Sequence, residues 1–268
     1  MLSFLEGLDN DIRKALMAQL RNLWTHTSTA IEGNTLTLGE TAFVIEEGLT
    51  VSGKPLKDHQ EVVGHARAID LIYDMAGRQT QIIEQDLFDL HRAVQTEILI
   101  DVYRPVGAWK IEPNGTYIIK NEKQIFFEYA DPEDVPDLMK EWLDLLNAKT
   151  DKNLSRDHAL SAYIDLHVSF VRIHPFFDGN GRMARLISNI PVIKSGFPPI
   201  IIPNEYRRNY IMALSEYELS AGSIKRSAPL LPSKEKLTDF KNLCSESWKE
   251  PMDLVDEAWK KQADRKRS

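Results

Sequence analysis

Apolar residues recur at helical spacing along most of the chain. Within residues 4–24, Leu5, Leu8, Ile12, Leu16, Leu20 and Leu23 lie three or four apart, which predicts an amphipathic first helix with one stripe facing a core. Thr37-Leu38-Gly39-Glu40 is a capping box that opens a second helix to about Glu47. After a turn-rich loop over 48–57, Asp58-His59-Gln60-Glu61 resembles another such box and opens a long helix to about Ala76. Residues 84–99 repeat the pattern through Leu87, Leu90, Val94 and Ile98. Asp131-Pro132-Glu133-Asp134 begins a helix to about Asn147, with proline at the first helical position and acids at the positive end of the dipole. Ser155 begins the next, to about Ile173, carrying Leu160, Ile164, Val168 and Val171 inward. His167 falls on its core side.

The texture changes between Tyr103 and Tyr129. Pro105, Gly107, Pro113, Asn114 and Gly115 punctuate two runs rich in β-branched and aromatic residues, TYIIK and QIFFEY, joined by Asn121-Glu122-Lys123. This predicts one β-hairpin embedded among helices. Beyond it, 197–203 (FPPIIIP) reads as an extended connector and 204–221 as a helix. Residues 233–267 read as one or two helices interrupted by Pro251, ending in a solvated, frayed Lys/Arg-rich tail. The fold class is therefore all-α with a single hairpin, divided into an N-terminal helical region (1–100), a core (101–222) and a C-terminal helical extension (223–268).

Composition narrows the class. The 268 residues are 43% hydrophobic and 27% charged, ordinary for a globular chain with room for a sizeable core. A net charge of −7 argues against a general nucleic-acid binder. Neither a signal sequence nor a run of eighteen apolar residues appears, so no membrane partner is expected, and the single Cys244 suits a reducing, cytoplasmic setting. A homodimer is compatible with the sequence but not specified by it.

The chemistry concentrates in 171–189, VRIHPFFDGNGRMARLISN. Asp178-Gly179-Asn180-Gly181 cannot continue the helix before it, because two glycines and an Asp/Asn pair favour turns and positive φ. Met183, Leu186, Ile187 and Ile190 then resume helical spacing, so the turn opens directly into a helix whose first amides have no internal partners. Such a glycine-lined helix start binds phosphate. Arg182 and Arg185, three apart, lean over the same turn and add enough charge for a di- or triphosphate such as ATP. Asp178 puts a carboxylate into this anion site, which Mg²⁺ bridging carboxylate and phosphate would explain. His174, with an ordinary pKa near ~6.5, can take a proton from a hydroxyl. No Walker A pattern and no metal-ligand cluster of Cys and His occurs.

The string 174–185 matches the HPFx[D/E]GNGRxxR signature at every defined position, and by it the chain resembles the Fic (Fido) family. The resemblance extends over roughly residues 25–220. It implies the Fic helical bundle with its hairpin flap, and transfer of AMP from ATP to a Ser, Thr or Tyr hydroxyl of a target protein. His174 would be the general base, Asp178 the Mg²⁺ ligand, Gly179, Asn180 and Gly181 the phosphate cradle with the Asn180 amide contributing, and Arg182 and Arg185 the phosphate clamps. Thr27-Ser28-Thr29-Ala30-Ile31-Glu32-Gly33-Asn34 resembles the [S/T]xxxE[G/N] inhibitory motif of the class II members, implying that Glu32, with Ser28 one turn earlier, pairs with Arg185 and forces ATP into an unreactive pose. By position alone, the hairpin would be the flap whose strand edge pairs with the target. The helix over 204–221 would close over adenine and ribose, but Glu216-Tyr217-Glu218-Leu219-Ser220 departs from the Asn-Glu-Gly-Asp-like end of many members, leaving the choice of nucleotide open; Tyr210 or Tyr217 offers a ring to stack on a base. Two other readings use the same residues: a hydrolase that removes AMP with Glu32 orienting water, and a non-catalytic nucleotide-sensing module.

Overall fold

Gly7, at φ +90°, breaks the chain before the first helix, so a 3₁₀ turn at Ser3–Leu5 precedes α1 (Asn10–Ile31) instead of one helix from residue 4. The computed structural model describes residues 2–96, 101–120, 122–150 and 153–267. Leu5 and Leu8 are buried nonetheless, and Ile12, Leu16, Leu20 and Leu23 form the expected stripe against the core, joined by Trp24. Helix α1 continues through Ser28 and stops at Gly33 (φ +100°). Asn34, just past it, donates from Nδ2 to Asp58 O and Glu61 Oε2, both 3.0 Å, and pins this end to the third helix.

Helix α2 (Leu38–Glu47) has the expected capping box at Thr37 and Glu40. Helix α3 (Leu56–Gly77) starts two residues before the second proposed box, behind Pro55, because Asp58 accepts from the Thr35 N–H and hydroxyl instead of capping its own helix. Helix α4 spans Glu84–Val94; Ile98, assigned to the same pattern, lies outside the described residues. The hairpin is β1 (Gly115–Lys120) paired antiparallel with β2 (Lys123–Glu128), with Ile118 opposite Ile125. Asn121 in its turn also lies outside the described residues.

Helix α5 runs Val135–Thr150, later than expected: Pro132 sits in the preceding turn. Helix α6 (Arg156–Ile173), capped by Ser155, is buried on nearly every side from Ala162 onward and forms the axis of the molecule. Around it pack α5, α7 (Asn180–Ile187), α8 (Ile190–Lys194) and α10 (Thr238–Ser247). Trp142 of α5 donates from its indole N–H to Leu166 O at 3.0 Å, anchoring the two helices together. Helix α9 (Arg207–Ala221) follows a 3₁₀ turn at Asn204–Tyr206. Helix α11 (Lys249–Arg267) keeps Pro251 in its first turn, where the missing N–H costs nothing, so proline does not interrupt it. Its basic end is helical rather than frayed, since Arg265 pairs with Asp9 (3.0 Å) and Asp11 (2.7 Å) beside α1. One buried apolar cluster includes residues of α1, α6 and α11, and no helix among the described residues is long and apolar enough to cross a membrane.

Candidate active site

His174 caps the C-terminus of α6 in the left-handed region, φ 52° and ψ 58°, a conformation that a non-glycine residue keeps only when its surroundings impose it. Its N–H donates to Phe170 O at 2.9 Å. The ring Nδ1 lies 3.2 Å from Val171 O, which makes Nδ1 the protonated nitrogen and leaves Nε2 as a proton acceptor. Tyr129, just past β2, stacks on the ring at 3.7 Å with the planes 7° apart. Burial, reinforced by the charge of Lys110, pushes the imidazole down to about 3, so it is a neutral base at physiological pH.

The loop after His174 is closed by Asn180. Its Oδ1 accepts from Phe176 N (2.9 Å) and its Nδ2 donates to Phe176 O (2.8 Å), within a side chain that is buried. The Asn180 amide thus shapes the loop, and its backbone N–H belongs to the first turn of α7, where helix amides have no internal partners. Gly179 turns the chain into α7 at φ 78°. A Cβ on Gly181 would fall 2.7 Å from Glu32 Oε1, so the Glu32 carboxylate rests directly over this bare backbone.

The two arginines line one cleft but bond to opposite walls, not to a shared one. Arg182 reaches α4, donating to Val94 O (3.3 Å) and Gln95 Oε1 (3.1 Å). Arg185 reaches α1, donating to Ser28 Oγ (3.0 Å), Ser28 O (2.9 Å) and Glu32 Oε1 (2.6 Å), and across to Tyr210 OH (3.3 Å). Ser28 and Glu32, one turn apart, therefore grip one guanidinium together. Tyr210 OH is also 3.2 Å from His167 Nε2, which gives the core-facing His167 its supporting role.

Asp178 opens onto the cleft, held by Gln95 Nε2 (3.2 Å) and near Arg182 (3.6 Å). Burial works against its charge, but Arg182, the Gly179 N–H and Gln95 together hold the carboxyl below its ordinary range. One ionised carboxylate beside a glycine-lined helix start is a ligand of the kind Mg²⁺ takes, an ion that needs few protein ligands. Among the described residues no group of three or more His, Cys, Asp or Glu could hold a metal ion.

Residues 81–191 match the family model described as Fic/DOC. The chain belongs to the Fic/DOC family. It is 34% identical over 203 residues to protein adenylyltransferase fic-1 of Caenorhabditis elegans, covering 75% of this chain and 37% of the relative. To protein adenylyltransferase Fic of Drosophila willistoni it is 32% identical over 183 residues, 68% of this chain and 34% of the relative. The chain thus spans about a third of the length of the curated relatives it matches. A Fic-domain-containing signaling protein of Bacteroides thetaiotaomicron superposes with a TM-score of 0.80 at 29% identity, over 95% of this chain and 92% of the other.

Several residues of this Fic/DOC site carry no motif. His91 of α4 accepts from Gly107 N on Nδ1 (2.9 Å), which directs its Nε2–H to Asp178 O (3.0 Å), and stacks on Phe176 at 3.9 Å. Asn114 donates to Phe176 O (3.0 Å) and accepts from the buried Lys110 (2.6 Å), tying the base of the hairpin to the Fic/DOC loop. Arg207 of α9 lines the cleft and donates to Ile31 O (2.6 Å), covering the end of α1 beside Glu32. The cleft itself, about 280 Å³, is lined by Gly181, Arg185, His174, Thr116, Leu214 and Glu218 among others. Tyr210 lines it, its hydroxyl engaged with Arg185. Tyr217 does not: it is buried away from the cleft with its hydroxyl on Pro232 O, so it is no stacking partner for a base. A larger groove of about 560 Å³ lies between α9 and α10, lined by Met212, Leu243, Glu216 and Asp239, with no imidazole among its lining residues.

Proposed function

We propose that this chain is a protein adenylyltransferase, moving AMP from ATP to a Ser, Thr or Tyr hydroxyl of a target protein, and that Glu32 restrains it. The observation that carries this reading is the union, in one cleft, of a neutral imidazole acceptor with a glycine-lined helix start flanked by two guanidinium groups. The backbone amides of α7 and Arg185 would hold the β- and γ-phosphates, placing the α-phosphorus before His174. His174 Nε2 would take the proton of the incoming hydroxyl as its oxygen bonds to phosphorus and pyrophosphate leaves with the bonding electrons. Asp178 would hold Mg²⁺, which supplies charge neutralisation on the phosphates. The names of the curated relatives favour the same reaction.

The hairpin supports a protein acceptor. Its two strands have no third partner among the described residues, and Tyr117, Ile119 and Phe126 are exposed on it. An extended target segment adding to this edge would be led past Thr116 and Tyr129 to His174.

Glu32 is restraining because its carboxylate occupies Gly181, the place a phosphate would take, and uses the Arg185 donor that a phosphate would use. Incubation of the Glu32→Gly enzyme with lysate and α-labelled ATP tests the reaction: protein-bound label that depends on His174 supports it, and label no higher than without enzyme refutes it.

A further inference from the structure

Glu218 of α9 is an anomaly in a folded protein. It is 3% exposed, its Oε1 has no hydrogen-bond partner among the described residues, and it lines the same cleft as Gly181 and His174. A buried carboxyl with an unused oxygen is costly unless something arrives to meet it. Leu214, Ile211 and Val171 give the same cleft apolar wall, with Ser215 one turn before Glu218 on α9. Apolar side chains with a buried, unpartnered carboxyl in the same cleft suit a heteroaromatic ring with a hydrogen-bonding edge. We infer that Glu218 selects the nucleobase, its carboxyl acting as one donor and one acceptor toward the paired ring nitrogen and exocyclic amine of adenine. This rests on the proposed nucleotide chemistry of the cleft and adds to it the residue that sets base specificity.

The charge state fits. Burial raises the Glu218 carboxyl to about 8, against a smaller opposing effect from Arg172. Among the described residues Arg172, on α6, is the cation that acts on it; from the hairpin side Tyr129 faces it, and the lowered His174 is neutral in the same cleft. A neutral carboxyl offers O–H to adenine N1 or N7 and C=O to the N6 amine. Ionised, it would only accept, which repels those ring nitrogens and suits the adjacent N1–H and N2–H groups of guanine.

The test is calorimetric titration of magnesium-ATP and magnesium-GTP into the full-length Glu32→Gly protein and the same protein carrying Glu218→Gln or Glu218→Leu, at pH 6.5 and pH 9. The leucine variant is expected to bind ATP about tenfold or more weakly, the cost of losing a buried hydrogen-bonding pair. Glutamine, a permanent donor and acceptor, should hold ATP affinity within about threefold at pH 6.5. Preference for ATP over GTP should fall with pH when Glu218 is present and stay level with glutamine. Equal ATP affinity in the leucine variant, or the same pH trend with glutamine, overturns the inference. Both results presuppose nucleotide binding by the Glu32→Gly parent; its absence would overturn the proposed function itself, and this inference with it.

Discussion

Glu32 and Arg185 are 153 positions apart in the chain and 2.6 Å apart in the fold, and the same Glu32 oxygen that meets the guanidinium sits over the bare backbone of Gly181. A helix N-terminus and an arginine are the two groups that recognise a terminal phosphate, and here one carboxylate answers both. The contact is built from both sides. Gly33 and Asn34 fix where α1 ends, Arg207 covers its last carbonyls, and Ser28 holds Arg185 from the turn above.

Replacing His174 by Ala removes the proton acceptor and leaves the phosphate cradle. Transfer of labelled AMP is expected to fall by ~10²–10⁴-fold. ATP affinity, measured by calorimetry in the Glu32→Gly background, should stay within about threefold. A parallel loss of affinity would place the imidazole in binding rather than in chemistry.

The protonation state of His174 gives a pH prediction. With its value lowered to about 3, the imidazole is uncharged from pH 5 upward, so the base form is already fully populated where an ordinary histidine would be half protonated. Nitrogen-15 NMR of the free protein should show no titration of His174 between pH 5.5 and 8, with the proton on Nδ1. A midpoint near 6.5 would contradict the stacked, buried environment described for it.

Asn180 should be a stability residue as much as a site residue. Asn180→Ala strips Phe176 N of its acceptor and leaves Phe176 O with Asn114 alone in a buried loop, and unfolding free energy in urea is expected to drop by about 1–3 kcal/mol. An unchanged denaturation midpoint would mean that the loop holds its shape by other contacts.

Glu218 links stability to pH independently of any nucleotide. Its folded value, raised to about 8, exceeds the ordinary 4.5, so the folded protein holds the proton more tightly than the unfolded chain. That contribution is complete below about 4.5 and is lost as pH rises through about 8. Glu218→Gln should therefore melt close to wild type at pH 4.5 and above it at pH 8.5; a constant difference across that range would show that the carboxyl is not held neutral.

The core of the site could be read from the sequence because it is local. Asp178 to Arg185 supplies a turn, a helix start and its charges within one string, and Ser155 and Thr37 announce their helices through neighbours three residues away. What the sequence misplaced depends on distant partners. Asp58 looked like a helix cap, and its oxygens are claimed by Thr35; Tyr217 looked available to a base, and tertiary packing turns it to Pro232. His91, Lys110, Asn114 and Tyr129 carry no local signal of a site role for the same reason. Each occupies an unremarkable position in its own element and acquires meaning from the loop that folds against it.

The most direct measurement of the whole arrangement is intact-mass spectrometry of the purified protein after incubation with magnesium-ATP, comparing wild type, Glu32→Gly and Glu32→Gly/His174→Ala. An adenylyl adduct at least about tenfold more abundant in Glu32→Gly than in wild type, and missing from the double variant, is the predicted outcome. Equal adduct in wild type and Glu32→Gly, or an adduct that survives loss of His174, would contradict a cleft in which one carboxylate holds the phosphate site shut and one imidazole primes the hydroxyl.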